Sequence, residues 1–352
     1  MDLTEEAKRR TFVFYIVPDF TMLAFTAAIE ALRLANAVLG REAHSWRIVT
    51  ADGKPVRASC GIPVASDRSV SEERLVPQSE RADMIIVCAG WNVEKAVDKS
   101  VAGWLRQSRK SGVEIAGVCT GAFILGNAGL LADRRCTIHW EHIPMLRELF
   151  PTAVVGGNIM ESDGDVHTCA GGIASFDMIL HFVSERFGRK VVLAIGEQAI
   201  IGRHRDPSER QRSHRSTLGS LNPLVIAAVQ FMEDNIIEQV EISAVAKHIN
   251  LSRRQMERLF AKEIATSPSR FYLELRLDHA RLMVLQSGLP IVDIAIASGF
   301  ISASHFSKCF RQFHGASPQR LREQRQRSVL VPTLKMQIDE GGFKPGPSSS
   351  LH

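Results

Sequence analysis

Two segments fifty residues apart repeat one pattern, and that repeat constrains this 352-residue chain more than any other feature. Residues 252–268 read SRRQMERLFAKEIATSP, and residues 302–318 read SASHFSKCFRQFHGASP. Phe260 aligns with Phe310, Ser267 with Ser317, and Pro268 with Pro318. The segments before them match too: SAVAKHIN at 243–250 against VDIAIASG at 292–299. Each copy therefore predicts a short helix, a turn at Asn250 or Gly299, and a second helix. Asn and Gly are the residues that best tolerate a positive φ at such a turn. Ser252 and Ser302 stand where a hydroxyl can accept an orphan N–H at the second helix start.

Two short helices joined this way have helix-turn-helix geometry, in which the second helix enters the DNA major groove. In the first copy Met256, Leu259 and Phe260 face inward, leaving Arg253, Arg254, Glu257 and Arg258 outside. In the second, Phe306, Cys309, Phe310 and Phe313 face inward, and Ala303, Ser304, His305 and Lys308 are presented. Residues 271–285 predict one long amphipathic helix between the copies. It can hold two recognition helices about one DNA turn (~34 Å) apart. Charge agrees with this division. Residues 11–200 carry 19 Lys/Arg against 21 Asp/Glu, whereas residues 201–220 carry 5 against 2 and residues 221–327 carry 14 against 10. A nucleic-acid partner thus suits the C-terminal part only.

These residues resemble the AraC/XylS family. The resemblance covers about 100 residues, 240–327, and rests on specific strings. They are Leu-Ser-Arg-Arg with Arg258-Leu259-Phe260, Ser267-Pro268, Arg276-Leu277 with Ala280-Arg281, Ile294-Ala295, Gly299-Phe300, residues 306–310 (FSKCF) and residues 315–318 (GASP). One departure is Ala265, where the family usually has Gly. The resemblance places base reading on Arg254, Glu257 and Arg258 in the first unit and on Ser304, His305 and Lys308 in the second. Arg254 and Arg258 suit guanine, and Glu257 suits cytosine N4. Arg253, Lys262 and Arg311 suit phosphate, which positions without specifying. The resemblance also implies an activator that contacts RNA polymerase.

The first half alternates strand and helix. Strands are expected at 12–17, 46–51, 84–89 and 112–118, with a short extended piece at 137–139. Helices are expected at 22–38, 101–110, 122–131, 143–150 and 176–187, the last taken as final. Alternation of this kind predicts an α/β fold: a mostly parallel, flavodoxin-like sheet with helices on both faces. The C-terminal part is expected to be all-α. The organisation predicted is a sensor domain at 11–200, an exposed linker at 201–220, a DNA-binding domain at 221–327 and a disordered tail at 328–352. No apolar run of about 18 residues stands out, so no membrane partner is expected. Six scattered cysteines without a Cys-x-x-Cys pair fit a reducing cytoplasm and argue against a metal site.

Residues 113–123 (VEIAGVCTGAF) read as strand, sharp turn and helix. Gly117-Val118-Cys119-Thr120-Gly121 has the Gly-x-nucleophile-x-Gly form. This pentapeptide resembles the nucleophile turn of the PfpI and class I glutamine-amidotransferase-like superfamily. Residues 83–90 and 168–177 (TCAGGIASFD) support the match over 11–190. Together the two resemblances are those of the GlxA-type regulators.

A catalytic cysteine needs a base and a group orienting it. The enzymes carry His directly after the Cys, and here stands Thr120. His139-Trp140-Glu141 has the letters of a late His-x-Glu but lies about twenty residues after Cys119. Only Asp19 is acidic just after the first strand. The expected reading is therefore a retained pocket without catalysis and without a cofactor. Its lining is Asp19, Phe20, Trp91, Cys119, Thr120, His139 and Trp140, over the strand C-termini. Two indoles with an acid can enclose a cationic amine. The resemblance implies a small-molecule effector of the amino-acid or quaternary-amine class, such as glycine betaine or carnitine, and a homodimer. A cysteine hydrolase or amidase carrying a DNA-binding module stays open as the alternative.

Overall fold

The computed structural model describes residues 8–211, 222–238 and 240–330. A seven-stranded sheet organises the first half. Its strands are β1 (Arg10–Ile16), β2 (His44–Thr50), β3 (Arg68–Ser69), β4 (Met84–Cys88), β5 (Glu114–Val118), β6 (Met160–Asp163) and β7 (Val166–Cys169). Their order is β6-β7-β5-β4-β1-β2-β3, and all neighbours run parallel except β6 against β7.

The period-2 alternation of β1 explains why helices cover both faces. Phe12, Phe14 and Ile16 enter one core, with α1 (Met22–Leu39), α5 (Ala174–Phe187) and α6 (Arg189–Gln198). Val13, Tyr15 and Val17 enter the other, with α2 (Lys99–Lys110), α3 (Gly121–Asn127) and α4 (Ile143–Leu149). By length and composition α1 could cross a bilayer, contrary to the sequence expectation. Its run is interrupted by Glu30 and Arg33, which pair at 2.7 Å, and eight of its side chains are buried in the core it shares with α5, α6 and the sheet. Two further elements escape the sequence reading. The antiparallel β6–β7 hairpin is short, and α6 follows α5 after a single glycine, Gly188. Residues 137–139 fall just after a two-residue strand, Arg135–Cys136, rather than in one.

The second half is helical: α7 (Pro223–Asp234), α8 (Ile242–His248), α9 (Arg253–Ile264), α10 (Pro268–Gln286), α11 (Ile291–Ala297), α12 (Ala303–His314) and α13 (Pro318–Leu330). Helices α8–α9 and α11–α12 are the two repeats, each around its own core. Met256 and Phe260 anchor one, Phe306 and Phe310 the other. Helix α10 packs against both. Both expected turns have positive φ, 54° at Asn250 and 74° at Gly299. Ser252 forms a capping box with Gln255, and the Ser302 hydroxyl accepts from His305 N at 3.3 Å. Arg276, a motif residue, is structural. It donates to the carbonyls of Ser298 and Gly299 and lies 4.4 Å from the Phe300 ring centroid.

Two expectations need correction. Residues 201–211 are not a free connector. Asp177 accepts from His204, from Arg205 N at 3.1 Å and from Arg205 Nε at 2.8 Å. Gln211 donates to the Thr137 hydroxyl at 2.9 Å and to Ile138 O at 2.7 Å. A polar segment can dock without burying apolar surface when buried acceptors await it. Residues 212–221 lie outside the described residues. The last helix reaches Leu330, so 328–330 are helical; the rest of the expected tail, 331–352, also lies outside.

Ala265 ends α9 in the left-handed conformation, φ 53°, where its counterpart Gly315 has φ 75°. A side chain there costs about 1 kcal/mol. Ala265→Gly is expected to raise the stability of the DNA-binding half by that amount, read as a higher urea midpoint at unchanged slope.

Candidate functional site

Cys119 sits at the tip of the turn from β5 into α3 with φ 58°, the strained geometry of a nucleophile elbow. Two glycines make room for it. A Cβ on Gly121 would lie 2.2 Å from the carbonyl oxygen of Val87, and one on Gly171 would lie 2.5 Å from the Cys119 Cβ. Cys119 as a whole is 7% exposed. Burial pushes its pKa up and the Glu141 carboxylate adds to that push, while the Thr21 hydroxyl and the Thr120 backbone oppose it. The thiol therefore stays protonated at neutral pH, the opposite of an activated nucleophile.

The residue that meets the Cys119 sulfur is Thr21, 3.5 Å away. The sequence reading passed over it because it sought an acid. Asp19, the acid available, also has a positive φ, 60°. Its carboxylate accepts from Asn92 at 3.2 Å, and its carbonyl accepts from Trp91 N at 3.1 Å. Asp19 thus belongs with Trp91, which is 58% exposed.

Across the elbow, His139 N donates to the Cys119 carbonyl at 3.3 Å and begins the turn Trp140–His142. His139, Trp140, Glu141 and His142 are all half-buried. His139 lies 3.8 Å from Glu141, and burial holds its pKa below the usual imidazole value. His139, Glu141 and His142 offer ligand atoms within 4.8 Å of one another, a cluster the sequence reading did not foresee.

Two expected lining residues do not line a site. Phe20 is fully buried and packs edge-on against Phe25 at 5.3 Å. The reversal at Asp19 turns it into the core. Thr120 is also buried, and its hydroxyl donates to Gly90 O at 2.7 Å, tying α3 to the loop after β4.

On the C-terminal half, Arg253, Arg254, Glu257 and Arg258 on α9 are all exposed. So are Ser304, His305, Lys308 and Arg311 on α12. Arg253 and Glu257 pair at 3.0 Å across one helical turn, an exposed contact that DNA can replace at little cost. Lys262 is exposed as well. Phe313, expected in the core, is 42% exposed and instead faces the first half. Cys309 is half-buried, with its sulfur 3.3 Å from His305 Nε2.

The halves meet where α10 packs on α4 and on the turn Trp140–His142. A cavity of about 450 Å³ lies there, lined by Trp140, Arg147, Arg210, Asp234, Asp278 and Phe313 among others. Arg210 pairs with Asp234 across it at 3.3 Å. Arg147, half-buried in the cavity wall, donates to Val155 O at 2.9 Å. His279 on α10 is buried, and desolvation, helped by Arg147, pushes its pKa down to about 3.

Comparison with known proteins agrees with both halves. Residues 11–185 match the model of the DJ-1/PfpI family, and residues 245–324 match a helix-turn-helix domain model. The transcriptional regulator GbdR of Pseudomonas aeruginosa is 35% identical over 329 residues, which cover 93% of this chain and 87% of GbdR. CdhR of the same organism is 35% identical over 308 residues, covering 87% and 90%. GlxA of Rhizobium meliloti is 33% identical over 311 residues, covering 88% and 94%. With a buried cysteine elbow at one end and two capped, outward-facing helix-turn-helix units at the other, the chain belongs to the GlxA-type family of transcriptional regulators, a DJ-1/PfpI domain followed by an AraC-type helix-turn-helix domain.

Proposed function

We propose that this regulator is a cytoplasmic, effector-responsive activator, and that its effector is a small amino-acid-like or quaternary-amine metabolite. The observation that carries the reading is the Cys119 elbow. Its geometry is kept, yet its thiol is buried, protonated and held by Thr21. Such a site binds rather than reacts. Trp140 and Glu141, which follow the His139 bonded to the Cys119 carbonyl, and Trp91, tied to Asp19, supply the aromatic faces and carboxylates that attract a cationic amine. The same family resemblance supports a homodimer that contacts RNA polymerase.

The division proposed is a sensor at 11–200 on which residues 201–211 dock, a linker that continues to 220 and a DNA-binding domain at 221–327. Arg254, Glu257 and Arg258, with Ser304, His305 and Lys308, read bases, while Arg253, Lys262 and Arg311 hold phosphate. The segment Trp140–Leu149 links the two activities. It follows His139, whose N–H bonds the Cys119 carbonyl, and it docks along its length on α10, the helix that spaces the recognition units. A ligand that binds one arrangement of this contact better than another shifts the population of DNA-binding geometries.

The test is a thermal-shift screen of betaines, carnitine and amino acids on the full chain. A true effector at about 100 times its Kd is expected to stabilise the fold by roughly 2.7 kcal/mol. A Cys119→Ser protein is expected to keep both that shift and DNA binding. If the parent protein hydrolyses an amide or ester and Cys119→Ser abolishes that turnover, the protein is an enzyme and this reading fails.

A further inference from the structure

The turn in the second unit is one residue longer than in the first, and the extra residue is Ile301. Asn250 and Gly299 occupy equivalent left-handed positions. Each is followed by an apolar residue whose N–H returns to the preceding helix. Leu251 N donates to Ala246 O at 2.9 Å, and Phe300 N donates to Ala295 O at 2.8 Å. In the first unit the cap Ser252 comes next. In the second, Ile301 intervenes before the cap Ser302.

Ile301 is 98% exposed, more than any other large hydrophobic residue among the described residues. Its neighbours on the first turn of α12 are short or point outward: Ala303, Ser304 and His305. The N-terminal end of a recognition helix is the part that meets base edges. An isoleucine there has no hydrogen bond to offer. The apolar group that a major groove displays is the 5-methyl of thymine.

We propose that Ile301 is a specificity-determining residue that reads a thymine 5-methyl group in the half-site of the second unit. The inference rests on the DNA-reading role of α12. It gives the two units different chemistries: the first reads through two guanidinium groups and a carboxylate, the second through a methyl contact beside Ser304, His305 and Lys308. Val292 and Ile296 on α11 are also exposed, at 54% and 62%, so a protein docked on an apolar face is the competing occupant.

The test selects duplexes from a random pool with the full chain and with Ile301→Ser. The full chain is expected to enrich one fixed thymine within the second half-site. Deoxyuridine at that position, which lacks only the methyl, is expected to weaken binding about three- to tenfold. For Ile301→Ser the position should become degenerate and the deoxyuridine penalty should vanish, with thermal stability unchanged. A thymine that stays fixed in the variant, or a full chain indifferent to deoxyuridine, overturns the proposal. Unchanged DNA selection with lost transcription activation also overturns it, in favour of a protein partner. Failure to enrich any sequence would overturn the DNA-reading role itself, a result distinct from either.

Discussion

Arg254→Ala combined with Arg258→Ala is expected to weaken binding to a selected duplex by roughly 30- to 10⁴-fold. Each bidentate arginine–guanine contact supplies about 1–3 kcal/mol of discrimination, and two lost together span that range. Both side chains are exposed on α9, while Met256 and Phe260 on the opposite face fill the core. The fold should therefore survive the double substitution. The measurement is fluorescence anisotropy at one fixed salt concentration, on the selected duplex and on a scrambled one. Binding to the scrambled duplex should fall far less, because phosphate contacts dominate non-specific affinity. Lys262→Ala gives the contrast: a small, sequence-independent loss and a shallower salt dependence. An affinity loss under threefold for the double variant would mean that α9 does not read bases.

Gly121→Ala is expected to destabilise the sensor half by about 3 kcal/mol or more. An alanine at an ordinary helix start would be neutral or mildly stabilising. Here the new Cβ would sit 2.2 Å from the carbonyl oxygen of Val87. That oxygen belongs to β4, which is paired with β1 on one side and β5 on the other, so neither partner can retreat. Overpacking a rigid core commonly costs 1–3 kcal/mol, and backbone against backbone lies at the upper end. The readout is specific, because all four tryptophans, at positions 46, 91, 104 and 140, lie in the first half. Urea unfolding followed by tryptophan fluorescence therefore reports the sensor. A variant as stable as the parent would show that the elbow does not need its close approach to β4.

Local chemistry made several parts of this protein legible. Asn250 and Gly299 announced positive φ because few residues accept it, and Ser252 and Ser302 announced caps because a hydroxyl satisfies an orphan N–H. The apolar run in β4 announced a strand covered on both faces. The Cys119 turn was readable from glycine spacing alone. The sequence reading missed the β6–β7 hairpin, whose four-residue strands are too short to show a period. It also missed the docking of residues 201–211, because their acceptors, Asp177 and Ile138, lie far back in the chain.

Site residues divided along the same line. Outward positions on α9 and α12 follow from helical period, because exposure on an amphipathic helix is a local property. Phe313 broke that rule: its period points inward, yet the domain junction gives it a different neighbour. Phe20 and Thr120 looked like lining and proved to be packing, since a reversal at Asp19 and an acceptor on Gly90 decide where they point. Thr21 became the partner of Cys119 only once β1 and β5 were brought together.

By itself, then, the amino-acid order determined what depends on neighbours a few residues away: the helices and their caps, the strained turns, the two repeated units and the character of each half. Tertiary structure alone decided what depends on distance in space: the state of the Cys119 thiol, the side chains around it and the contact of Trp140–Leu149 with α10. The reason is physical. Dihedral preference and capping are short-range, whereas desolvation and side-chain pairing are set by whatever the folded chain carries into contact.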